Sequence, residues 1–134
     1  MNKISRLMTV AAVAMFFVAS SFSVQAKADK TVDKARSAVE NASPDDWETY
    51  AKSAQMLIRK KASMGEAKKW VEKSLSIRET PFNLEVMGDY YIKNNLPKQA
   101  IKYYIKSMDK LKENDANIDT SAIQGKIVKA STMK

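Results

Sequence analysis

Laid over itself so that Lys60 falls on Lys93, the chain comes into register. In that alignment Ala67, Lys69, Lys73 and Ser74 coincide with Ala100, Lys102, Lys106 and Ser107. Residues of similar type also pair: Ile58 with Tyr91, Trp70 with Tyr103, Val71 with Tyr104 and Leu75 with Met108. In both copies apolar positions recur at three and four residues, the spacing of one helix face, and no stretch alternates as a half-buried strand does. A helix pair of this length cannot bury its apolar stripe alone. The period therefore predicts similar pairs stacked on a shared core.

Three prolines punctuate the helical pattern, each placed where a helix is expected to begin. Ser43-Pro44-Asp45-Asp46 offers an N-cap hydroxyl, a proline at the first helical position and two acids facing the helix dipole. Thr80-Pro81 repeats that arrangement ahead of Phe82, Leu84, Met87 and Tyr91, and Leu96-Pro97 precedes Ala100, Ile101, Tyr104, Ile105 and Met108. The reading is six helices, at 31–42, 45–61, 65–77, 81–94, 97–113 and 120–131, the last capped from Asp119-Thr120-Ser121. Connections of two to six residues favour antiparallel neighbours. The fold class expected is all-α. Trp47, Trp70, Tyr91 and Tyr104 are read as core anchors. Phe82, Tyr90 and Tyr103 are less constrained, and one of them is a candidate for an exposed groove.

The segment 1–26 reads as an export signal. Lys3 and Arg6 open it, Leu7 to Ala19 is mostly apolar, and Val24-Gln25-Ala26 sets small residues where a peptidase cuts, predicting cleavage after Ala26. Three serines break the apolar run, and a span usually needs about 20 apolar residues, which argues against a retained anchor. The expected organisation is a signal peptide at 1–26, an N-terminal helix or linker at 27–43, and one helical domain at 44–132. An exported, periplasmic or secreted location follows. The sequence has no Cys and no His, which excludes thiol nucleophiles, Cys/His zinc sites, disulfides, lipid attachment to cysteine and Ser-His-Asp triads.

The second copy resembles the tetratricopeptide repeat. Between Pro81 and Leu111, the residues Leu84, Met87, Gly88, Tyr91, Ala100, Tyr104 and Ser107 match its order of large, large, Gly, aromatic, Ala, aromatic and small positions. The first copy, Glu48 to Arg78, matches through Ala51, Ala54, Ile58, Ala67, Val71 and Ser74, with Gln55 in the glycine's place. The resemblance implies antiparallel helix hairpins, about two repeats, with flanking helices as caps. It also implies that the first helix of each pair lines a concave groove. Lys52, Met56, Arg59 and Lys60 would face that groove from one pair, and Glu85, Asp89, Ile92 and Lys93 from the next. Some members grip a peptide carboxylate with Lys and Asn there. Met56 and Asp89 stand in the Asn positions, so that clamp is not carried over, and the groove reads as half basic and half acidic. Protein or peptide binding is the function implied.

Constellations for catalysis are scarce. Asp45-Asp46 is explained by a first helical turn. The series Asp115, Asn117, Asp119 lacks the Gly and Glu of a calcium loop, with Thr120 and Lys126 in their places. No enzyme activity, cofactor or metal is expected. Charge says more: the full chain carries a formal +8. Lys98, Lys102, Lys106 and Lys110 recur at every fourth position and form one stripe on the fifth helix. Like charges at that spacing cost about 0.2–0.5 kcal/mol per pair in an isolated helix. The stripe serves solubility, or it is a footprint for an anionic envelope surface, lipid or cell-wall polymer. Nothing resembles a base-reading arrangement, so nucleic acid is not an expected partner.

Overall fold

The computed structural model describes residues 29–134, and the expected signal peptide and its cleavage site lie outside them. Six helices occupy the described residues: α1 over 29–40, α2 Trp47–Lys60, α3 Met64–Ile77, α4 Pro81–Lys93, α5 Pro97–Asn114 and α6 Ser121–Ser131. No strand occurs among them. The all-α expectation holds, with most boundaries within one residue. None of these helices is long and apolar enough to cross a membrane.

Two of the three proline expectations hold. Pro81 and Pro97 are the first residues of α4 and α5. Thr80 forms a reciprocal capping box with Asn83: the Thr80 hydroxyl accepts from the Asn83 backbone N–H at 3.3 Å, and the Asn83 side-chain carbonyl accepts from the Thr80 N–H at 2.9 Å. Pro44 does not start α2. The helix begins at Trp47, because the Asp46 carboxylate, not the Ser43 hydroxyl, accepts from the Thr49 N–H at 3.0 Å. Ser43 instead offers its carbonyl to Asp46 in a turn. α1 ends earlier than expected, at position 40, where the Asn41 side-chain amide donates to the Ser37 carbonyl at 2.7 Å.

The pairs α2/α3 and α4/α5 are antiparallel hairpins that share most, not all, of their buried positions: Leu57 and Ile58 are buried where Tyr90 and Tyr91 are half-buried. Ala51, Ser53 and Ala54 of α2 take the repeat positions of Leu84, Val86 and Met87 of α4, and all six are buried. In the second helices, Ala67, Val71 and Ser74 correspond to Ala100, Tyr104 and Ser107, again all buried. The two serines do the same job. Ser74 donates to the carbonyl of Trp47 at 2.7 Å, and Ser107 to that of Pro81 at 2.8 Å, each joining the later part of one helix to the first residue of its partner. The turns have the same form one residue out of that register, with Lys61 and Asn95 in the left-handed region and closing hydrogen bonds from Ala62 to Leu57 and from Leu96 to Tyr91.

A buried polar knot joins one hairpin to the next. Asn83, wholly buried, donates to the Ser74 hydroxyl at 2.9 Å and to the Arg78 carbonyl at 2.7 Å while accepting from Thr80. Every polar atom of its amide is thereby satisfied, which offsets its burial. α4 packs against both α2 and α3, so the second hairpin leans on the first. Ala35 of α1 enters the core formed by Ala54, Leu57, Ile58, Ala67, Val71, Val86 and Met87. A two-pronged ion pair, Arg36 to Glu66 at 2.9 and 2.8 Å, fastens α1 to α3. At the other end Ile123 and Ala130 of α6 join Ala100 and Tyr104 in a second cluster.

Candidate cation cage on the fourth helix

Tyr104 sits where α4 and α5 approach closely. A Cβ added at Gly88 would stand 2.3 Å from its ring, so only glycine admits the tyrosine. The atoms that need the space are those of the Tyr104 ring. With the ring fixed, its hydroxyl donates to Asp89 at 2.7 Å. Burial first, and the Asp89 hydrogen bond second, push the Tyr104 pKa far above the phenolic range. The phenol stays protonated and remains a donor.

Lys126 of α6 completes the site. Its ammonium lies 2.6 Å from Asp89 Oδ1, 2.8 Å from Glu85 Oε1 and 5.5 Å from the centre of the Tyr104 ring. Burial alone would lower the Lys126 pKa, but the hydrogen bonds to Asp89 and Glu85 outweigh it and the net direction is upward. The side chain keeps 37% of its surface, so the cage is open to water on one side. A cavity of about 150 Å³ adjoins it, with Asp89, Ile92, Tyr104 and Met133 in its wall.

The other residues expected in the groove are distributed unevenly. Lys52, Met56 and Lys60 on α2 hold the repeat positions of Glu85, Asp89 and Lys93 on α4, on two helices packed against each other. Met56 packs against the first core cluster. Lys52 is exposed and paired to Glu48 of its own helix at 2.6 Å. Arg59, Lys60 and Lys93 are exposed, with no ion pair among the described residues. The acidic half of the expected groove is thus occupied from within, while its basic half is not. Sequence reasoning placed Lys126 only in a failed calcium pattern. The last helix carries two basic residues, Lys126 and Lys129, and nothing in their spacing singles out Lys126.

The lysine stripe is also uneven. Lys98, Lys102 and Lys106 are exposed, Lys106 lying over the Tyr103 ring at 5.5 Å from its centre, but Lys110 is paired with Glu113 at 3.0 Å. Trp70, Phe82, Tyr90, Tyr91 and Tyr103 are all half-buried against the first core cluster. Tyr91 stacks on Tyr103 at 5.4 Å and meets Tyr90 edge-on at 5.5 Å. None of the three less constrained aromatics projects alone into solvent.

No family model matches the chain, and no curated protein or solved structure is significantly similar to it.

Proposed function

We propose that the chain is an exported, non-catalytic, tetratricopeptide-like module that binds a protein or peptide across the face shared by α2 and α4. The observation that carries this reading is the common register of the two hairpins. Matching buried positions and the matching Ser74 and Ser107 bonds support a repeat packed in one orientation. In this reading Lys52, Met56, Arg59 and Lys60 share one face with Glu85, Asp89 and Lys93, which is supported by the packing of α2 against α4. Exposed ion pairs contribute only about 0–1 kcal/mol each, so binding through charge alone is weak and specificity comes from their arrangement. With Lys126 seated on Glu85 and Asp89, the unpaired charges of the face are basic, which favours an acidic partner segment at the α2 end. The test is a photo-crosslinking residue at Met56 in the native envelope, followed by mass spectrometry of the adduct. Arg59→Glu with Lys60→Glu is expected to abolish that adduct; an unchanged adduct rejects the groove.

A second reading has its own observation. Lys98, Lys102 and Lys106 lack acidic partners among the described residues although Lys110, one turn on, has one. That stripe is the candidate footprint for an anionic envelope surface.

A further inference from the structure

We infer that Glu85, Asp89 and Tyr104 form a receptor for one lysine side chain of a partner, which Lys126 of α6 occupies in cis. The inference rests on the reading of the α2/α4 face as a binding surface and names the chemistry of one end of it.

The cage suits an ammonium group. Two oxygens from different residues lie 2.8 and 2.6 Å from one nitrogen, and a ring face lies beside it. An ammonium is a compact charge with three donors, whereas a guanidinium prefers both oxygens of one carboxylate in a planar fork. The arrangement therefore selects lysine over arginine. It also carries more acid than a strut needs. Glu85 and Asp89 are like charges one turn apart on the same helix, an arrangement that weakens an isolated helix. One ammonium neutralises only half of the pair. The adjoining cavity, formed with α6 docked and bordered by Ile92, Met133 and the Lys129 side chain, leaves room for the aliphatic stem of an incoming side chain.

The occupant is presented by a short helix. α6 has 11 residues, buries only Ile123 and Ala130 and carries Gly125 in its interior, with its first N–H received by the Asp119 carboxylate at 2.8 Å. Helices this short are marginal without tertiary support, and an interior glycine weakens them further. The Lys126 side chain keeps 37% of its surface, so its ammonium can swing out of the cage while Ile123 and Ala130 keep α6 packed on Ala100 and Tyr104. A partner lysine then competes with a tethered one, and the apparent affinity is reduced by the fraction of cages held shut.

The test uses the full chain and a fluorescein-labelled pentalysine peptide at low salt. Lys126→Met removes the competing charge and keeps the aliphatic packing; Lys126→Gln is the second variant. Both are expected to bind pentalysine at least about tenfold more tightly than the parent chain, the gain that a cage shut about 90% of the time would give. Adding Glu85→Gln and Asp89→Asn is expected to remove that gain, and pentaarginine is expected to bind more weakly than pentalysine. Equal affinity of parent and Lys126 variants, no binding by either variant, or a gain that survives the Glu85/Asp89 changes each overturns the inference. Circular dichroism of every variant confirms that helix content is retained, and amide shifts at Glu85 and Asp89 in the parent chain during a pentalysine titration give a readout that needs no variant. If the cage fails while Arg59→Glu with Lys60→Glu still abolishes the Met56 adduct, the groove stands without it.

Discussion

Two glycines of the same chain answer to different forces. At Gly88 a methyl group would collide with the Tyr104 ring, which is held by the second core cluster and by its bond to Asp89. At Gly125 a methyl group meets nothing within 4 Å. Replacing an interior helical glycine by alanine gains about 0.5–1 kcal/mol in backbone entropy, whereas overpacking a core costs about 1–3 kcal/mol. Gly88→Ala is therefore expected to destabilise the chain by about 1–2 kcal/mol net, and Gly125→Ala to stabilise α6 by up to about 1 kcal/mol, both read from urea midpoints at unchanged slope. Equal effects at the two sites would remove the steric account of the α4/α5 approach. The sequence marks Gly88 through its repeat pattern. It cannot show that Tyr104, on the following helix, is the side chain that needs the space.

The helices at the two ends are fastened by ion pairs of opposite pH sensitivity. α1 is held through Arg36 and Glu66; the Arg36 hydrogen bonds, followed by one from the Ser63 hydroxyl, lower the Glu66 pKa. A carboxylate with a depressed folded pKa contributes stability above its unfolded pKa, about 4.3, and loses it as pH falls through the folded value. α6 is held through Lys126, whose pKa is raised overall. A lysine with a raised folded pKa contributes stability below its unfolded value, about 10.4, and loses it as pH climbs through the folded one. In a chain with ¹³C-labelled alanine methyls, the Ala35 signal is expected to move toward its random-coil position as pH falls below about 4, and the Ala130 signal as pH rises above about 10.4. The reverse order would show that these contacts do not hold the end helices. Neither fastening was legible from spacing alone. Arg36 and Glu66 lie on helices that are not neighbours in the chain, and Lys126 lies well beyond the repeat.

Across the whole molecule the positive excess is not spread evenly among the functional candidates. Lys52, Lys110 and Lys126 are engaged by Glu48, Glu113 and the Glu85/Asp89 pair, while Arg59, Lys60, Lys98, Lys102 and Lys106 have no ion pair among the described residues. The α2/α4 face and the α5 stripe can therefore be separated by mutation. Binding to vesicles containing an anionic phospholipid is expected to weaken steeply as salt is raised to about 0.5 M, because screening then acts over a shorter range than the spacing of neighbouring charges. It is expected to be lost in Lys98→Gln/Lys102→Gln/Lys106→Gln. Sedimentation with the vesicles measures both effects. Loss on Arg59→Glu/Lys60→Glu instead, with the triple variant unchanged, would reject the stripe as a surface footprint.

From sequence alone come the helical class and the starts of α2 to α6 to within two residues. Each rests on interactions between residues near one another in the chain: apolar spacing, proline at a first turn, and a hydroxyl or amide at a cap. Only tertiary structure decided which charges are free, because an ion pair depends on the spatial approach of distant segments. Glu85 and Asp89 read as the open acidic half of a groove until α6 folds back and sets Lys126 on both. The helix that closes this cage lies outside the repeated segment, so no internal comparison of the chain could place it there.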